Sequence, residues 1–229
     1  ALFANTKALF TVSEDFEELL ADTPPEEGGL LRIGTDSPPY AADLIATFSA
    51  AAPKLDFKVT IANARETNQL LMMAAVDIAI VCDAMGHPDY TYKPLYEDRL
   101  VAVLPVDAPA AGLAEFDIRG VSNHMFLLRE PTSRTRSATE RLFEAYEVAP
   151  ARIMEFHTRE MIREAVARGL GISFMYQREC PPDGRLAVLP IASDHPSTAI
   201  AGYIACRTAR RRHPAIKRAL EIATILRDS

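Results

Sequence analysis

GLLRIGTDSPPYAADLIATFSAAAPKLDFKVTIANARETNQLLMMAAVDIAIV, residues 29–81, alternates short apolar runs with segments of helical period. The pattern predicts strand Leu30–Gly34, helix Pro39–Ala52, strand Asp56–Ala62, helix Glu66–Ala75 and strand Asp77–Val81. Such alternation is the signature of parallel βαβ units. Pro53 stops the first helix, because the residue before a proline is pushed out of the α region. A further strand, Arg99–Pro105, closes this half.

Downstream the pattern repeats. Strand Met125–Leu128, helix Ser133–Tyr146, strand Arg152–Phe156, helix Arg159–Arg168 and strands Ile172–Met175 and Leu186–Pro190 make a second α/β set. The long strand Thr198–Cys206 and a helix from about His213 to Leu226 end the chain. The fold class is therefore α/β, with one subdomain from residues 29–105 plus 207–229, another from 106–197, and a return strand at 198–206. Two halves joined by two extended segments, near 105 and near 200, would leave a cleft between them, the hinge geometry of a binding protein.

Upstream, Leu2, Leu9 and Phe16 stand seven apart, with Asn5, Val12 and Leu19 on the complementary positions. That heptad spacing predicts an amphipathic helix over 1–22, either an interchain seam or a helix packed on its own domain. Thr23-Pro24-Pro25-Glu26-Glu27-Gly28-Gly29 then breaks it and marks a linker.

Composition narrows the function. With 229 residues, 48% hydrophobic and 24% charged, the chain is neither disordered nor of low complexity. Twenty-five Lys+Arg against 31 Asp+Glu give a formal charge of -6, which provides no net-positive field for nucleic acid. The longest apolar run, Leu70–Cys82, is cut by Asp77 and falls short of a membrane span. Cys82, Cys180 and Cys206 are widely spaced and form no CxxC pair, arguing against a disulfide framework or a zinc site. A reducing cytoplasm is the expected home. The chain opens on Ala1 with no signal-peptide pattern, so a truncated cytosolic protein is expected.

Enzyme motifs are missing: there is no GxSxG, GxxxxGK[ST] or HExxH. The five histidines lack ligand spacing, and Cys180 has no histidine near it in sequence. No catalytic residue, metal or cofactor is expected. Three helix starts that follow strand ends stand out instead. They are Thr35-Asp36-Ser37-Pro38-Pro39, Arg129-Glu130-Pro131-Thr132-Ser133-Arg134-Thr135-Arg136, and His157-Thr158-Arg159-Glu160. Ligands of open α/β sheets collect at strand carboxyl ends, where helix N-termini offer N–H donors to anions. Ser37, Thr132, Ser133 and Thr158 would serve equally as ordinary helix caps. Arg129, Arg134 and Arg159 beside two of the starts favour an anion, since the helix dipole alone would prefer a carboxylate there. Asp36, with Tyr40 close by, would suit a cationic group on the same ligand. The basic run Arg207, Arg210, Arg211, Arg212, Lys217 and Arg218 has no interleaved aromatic and reads as a solvated face.

Gly29-Leu30-Leu31-Arg32-Ile33-Gly34, Phe48 with Pro53, Val76–Val81, Leu95–Pro105 (LYEDRLVAVLP) and Val166–Ile172 together resemble the effector-binding domain of LysR-type transcriptional regulators. The blocks fall in family order across 29–229, and 1–22 resembles the family's linker helix. Ala75-Val76 stands where the family often has a glycine before the aspartate. Arg129-Glu130-Pro131, Ser133, Thr135-Arg136, Arg159-Glu160 and Glu164–Val166 further resemble regulators of 2-aminoethylphosphonate catabolism, with Thr132 where that subgroup has glycine.

The resemblance implies a periplasmic-binding-protein-like fold, a small anionic or zwitterionic effector in the cleft, and a homodimer or higher homo-oligomer. It also implies that promoter DNA is bound only through an N-terminal winged helix absent from this chain, with no membrane partner. It places effector contacts at Asp36, Ser37, Thr132, Ser133 and Thr158, where the helix-start argument also leads. A solute receptor of a transport system, or an enzyme with Asp36 or Glu160 as acid or base, are the alternatives.

Overall fold

The computed structural model describes residues 29–82 and 86–227. The heptad segment 1–22 and its linker lie outside the described residues. The chain divides into two compact units: unit 1 takes the chain up to Glu97 and from Ala201 onward, and unit 2 is Asp98–Ile200. Both crossings fall inside strands, so the change of unit comes within the strand closing the first half, ahead of the boundary at 105 read from the sequence.

Unit 1 is built on β1 (Gly29–Thr35), α1 (Pro38–Ala51), β2 (Leu55–Ile61), α2 (Ala64–Met72), β3 (Ile78–Val81), the first part of β4 (Tyr90–Pro105), most of β9 (Ala199–Arg207) and α5 (Pro214–Arg227). Its strands run in the order β2-β1-β3-β9-β4. β1 pairs parallel with β2 and β3, and β3 pairs antiparallel with β9. Ile33, Ile78, Ile80 and Ile204 are fully buried in the sheet, and Leu44, Phe48 and Ile216 are fully buried on α1 and α5, which pack together.

Local chemistry sets the boundaries. Pro38 and Pro39 occupy the first turn of α1, where their missing N–H groups cost nothing. α2 starts two residues before the expected Glu66, because the Asn63 side chain accepts from the Glu66 N–H at 2.9 Å and caps the helix. It ends at Met72, and the turn into β3 puts Ala74 at φ 54°, a left-handed conformation taken by a residue that carries a Cβ.

At the base of this sheet Asp77 joins three segments. Its carboxylate accepts from the Arg32 backbone N–H at 2.8 Å, from Arg32 Nε at 3.0 Å and Nη2 at 2.8 Å, and from Arg210 Nη1. Burial pushes its pKa up, but the Arg32 hydrogen bonds and the charges of Arg32 and Arg210 outweigh that and hold it below the usual value.

Unit 2 contains the rest of β4, β5 (Met125–Arg129), α3 (Arg134–Ala145), β6 (Arg152–Phe156), α4 (Arg159–Ala167), β7 (Ser173–Tyr176) and β8 (Leu186–Pro190). β4 pairs antiparallel with β7 and β8, and β5 pairs parallel with β6. The alternation of β4 splits its side chains between two cores. Leu100, Ala102 and Leu104 face Phe116, Phe126, Phe143 and Phe174, whereas Val101 and Val103 face Leu127, Ile162, Val166 and Met175. Gly171 is needed where the chain meets β5, since a Cβ there would lie 2.4 Å from the Met125 carbonyl oxygen. No helix among the described residues is long and apolar enough to cross a membrane.

Candidate functional site

In unit 1, Asp36, Ser37 and Tyr40 lie at the carboxyl end of β1, all buried. Ser37 precedes α1 but makes no capping hydrogen bond with its side chain. Asp36 links two strand ends. Its Oδ2 accepts from the Cys82 N–H at 3.2 Å, and its own N–H donates to the Ile80 carbonyl at 3.2 Å, strapping the end of β1 to the end of β3. The cap reading of Ser37 is therefore corrected: two prolines leave the first turn of α1 with few donors to cap. Tyr40 stacks on Tyr96 of β4 with ring centroids 3.3 Å apart. The Tyr96 hydroxyl lies 3.8 Å from Cys82 Sγ. Burial, then the proximity of Cys82 and Asp36, push the Tyr96 pKa far up, so the phenol stays protonated.

In unit 2, the parallel register pairs Arg129 with Phe156, the last residues of β5 and β6. The two helix starts thus follow adjacent strand ends. Ser133 caps α3, accepting from the Arg136 N–H at 3.5 Å, and Thr158 caps α4, accepting from the Met161 N–H at 3.2 Å. Ser133 is buried, while Thr132, Arg134 and Thr158 are exposed. Arg136 fixes this corner. Its Nε donates to Glu140 at 2.7 Å, and its Nη1 donates to the Arg129 carbonyl at 3.0 Å and to Glu155 at 2.6 Å. The first-turn N–H groups of both helices lack intrahelical acceptors by construction and point out of the helix end.

Two carboxylates that sequence reasoning did not select stand among these groups. Glu130 binds Arg129 through two parallel hydrogen bonds of 2.8 and 3.0 Å, with both side chains 12% exposed. Glu179, on the single turn after β7, pairs with Arg159 at 2.7 Å, with its side chain 4% exposed. Burial raises the Glu179 pKa, against the pull of Arg159 and Arg129 and with a push from Asp98. Glu130 adjoins Arg129 in sequence and was open to detection as a local partner. Glu179 lies far along the chain from Arg159, and no spacing signals the pair. Among the described residues, no group of three or more His, Cys, Asp or Glu is placed to hold a metal ion.

The family model for the LysR substrate binding domain matches residues 25–224. The regulator CfxR of Cupriavidus necator is 32% identical over 168 residues, which is 71% of this chain and 52% of that protein. CbbR of Rhodospirillum rubrum is 27% identical over 198 residues, covering 83% of this chain and 64% of that protein. The chain thus spans about half to two thirds of these relatives. The narrower likeness to 2-aminoethylphosphonate regulators is not carried by them. Among solved structures, the Synechocystis CcmR regulatory domain in complex with 2-PG superposes with a TM-score of 0.75 at 23% identity, over 87% of this chain and 97% of that one. The fold is the periplasmic-binding-protein-like α/β fold expected from the sequence, the relatives are transcriptional regulators and not enzymes, and the chain belongs to the LysR substrate-binding domain family.

Proposed function

We propose that this chain is the small-molecule-sensing domain of a LysR-type transcriptional regulator, and that the paired starts of α3 and α4 in unit 2 bind the anionic part of its effector. The observation that carries the reading is the parallel β5–β6 register, by which two capped helix N-termini follow adjacent strand ends. Helix N-termini concentrate N–H donors and positive potential, and adjacent starts supply both to one anion. The finer reading is a small anion or zwitterion such as an aminophosphonate; the CcmR domain, of related fold, is solved in complex with 2-PG. Promoter DNA would be bound by another part of the full-length protein, acting as a homodimer or higher homo-oligomer in the cytoplasm.

A thermal-shift screen with 2-PG, ethylphosphonate, 2-aminoethylphosphonate and sulfate tests this. A ligand at ~100 times its Kd stabilises by about 2.7 kcal/mol. At least one of these anions is expected to raise the Tm, and 2-aminoethylphosphonate to exceed ethylphosphonate if the ligand is a zwitterion. No shift with any of them would reject the anion site, and equal shifts for the two phosphonates would reject the zwitterion.

A further inference from the structure

The two arginines that flank the helix starts are already matched by carboxylates of the chain itself. Arg129 is held by Glu130 through two hydrogen bonds, and Arg159 by Glu179 at 2.7 Å. Arg136 is matched by Glu140 and Glu155. Arg134 is exposed, where solvent and salt weaken its reach. Within this cluster Arg129 Nη1 and Glu179 Oε2 are buried without a hydrogen-bond partner among the described residues. Glu179 is faced by Arg159 from α4, Arg129 from β5 and Asp98 from β4. It is the most buried carboxylate of the group, and it acts on both arginines.

We propose that Glu179 is a specificity-determining residue of the unit 2 site, a buried counter-ion that restrains Arg159 and makes the site select singly charged head groups over doubly charged ones. The inference rests on the reading of the α3 and α4 starts as an anion site. One ligand charge is met by the helix N–H groups and by the Arg129 Nη1 group left over from its ion pair. A second charge finds no uncompensated buried cation among the described residues of this cluster, and it meets the carboxylates of Glu179 and Glu130 at short range in a partly desolvated site, where like charges repel strongly. Glutamine at 179 keeps the size and one acceptor oxygen but releases a positive charge.

The test is titration calorimetry of the whole chain and its Glu179→Gln and Glu179→Asp variants. The probes are ethylphosphonate, below and above its second ionisation, and sulfate, doubly charged at both pH values and so a control for titration of the protein. The unmodified chain is expected to bind the phosphonate monoanion at least about tenfold more tightly than the dianion, and to bind sulfate weakly, about 1.4 kcal/mol apart. Glu179→Gln is expected to lose that pH preference and to gain about tenfold for sulfate, and Glu179→Asp to restore the original order. Binding without charge preference in the unmodified chain, or an unchanged preference in Glu179→Gln, overturns this inference alone. No binding of any probe to any of the three proteins overturns the anion site and the inference together.

Discussion

Tyr96 of β4 lies flat on Tyr40 of α1, with ring planes 3° apart, and the Tyr96 ring crosses directly above Gly202 of β9. A Cβ at residue 202 would stand 2.0 Å from two carbons of that ring. The stack thereby ties the first turn of α1 to the sheet of unit 1, at the same strand ends that hold Asp36 and Cys82.

Gly202→Ala should therefore displace Tyr96 and break the stack, at about 3 kcal/mol, the upper part of the range for forced overpacking. Urea denaturation measures this directly. A midpoint equal to that of the unmodified chain would show that Tyr96 has room to move aside.

Asp77 makes a separate, pH-dependent contribution. Its folded pKa lies below the unfolded value, so its stabilisation is fully present above the unfolded pKa and fades as pH falls through the folded one. Removing one partner of a buried pair typically costs 3 to 5 kcal/mol, and Asp77→Asn is expected near the lower end, about 3 kcal/mol, since Arg32 is partly exposed and retains water. The variant should also show a flatter loss of stability below the ordinary carboxylate range. Parallel acid-denaturation curves for the two proteins would remove Asp77 as the cause.

Much of this architecture is legible in the sequence because the strands of both sheets are short apolar runs. Ile78–Val81 is buried throughout, and Phe126–Leu128 likewise. The early half of β4 is not legible: Tyr90–Asp98 mixes Lys93, Pro94, Glu97 and Asp98 with aromatics, and only pairing within the folded sheet identifies it as strand. The site follows the same division. Ser133 and Thr158 are found from their place between strand and helix, since capping is a local signal. Glu179 and the Asp36–Cys82 strap depend on residues distant in sequence, and a carboxylate's tertiary partner leaves no periodic trace. Arg129 and Arg159 stand beside the two helix starts, but their counter-ions decide how much charge they offer a ligand.

Thr158 and Ser133 separate capping from binding. Thr158→Ala loses a hydrogen bond of 3.2 Å and should lower stability by about 1 kcal/mol, whereas the Ser133 bond is long at 3.5 Å and its loss should cost less. If both hydroxyls also meet the effector anion, each alanine variant should weaken ethylphosphonate about tenfold, in keeping with roughly 1.5 to 3 kcal/mol for a charge-assisted hydrogen bond. Calorimetric affinities that match the unmodified chain would leave both residues as caps only.

Asp36 has a structural role that the Asp36→Asn and Asp36→Ala variants divide from any role in recognition. Its carboxylate receives the buried Cys82 N–H, and asparagine keeps an acceptor oxygen in the same place. Asp36→Asn should fold with nearly unchanged stability, while Asp36→Ala leaves that N–H buried and unsatisfied, at about 1 to 3 kcal/mol. Loss of the carboxylate charge also removes one of the influences that raise the Tyr96 pKa, though burial alone keeps the phenol protonated. If Asp36 in addition recognises a ligand ammonium, Asp36→Asn should abolish the preference for 2-aminoethylphosphonate over ethylphosphonate without lowering the Tm of the free protein. Thermal melts with and without each ligand decide the matter: a preference retained in Asp36→Asn would confine Asp36 to strapping β1 to β3, and a Tm loss in Asp36→Asn as large as in Asp36→Ala would show that the strap needs the charge as well as the acceptor.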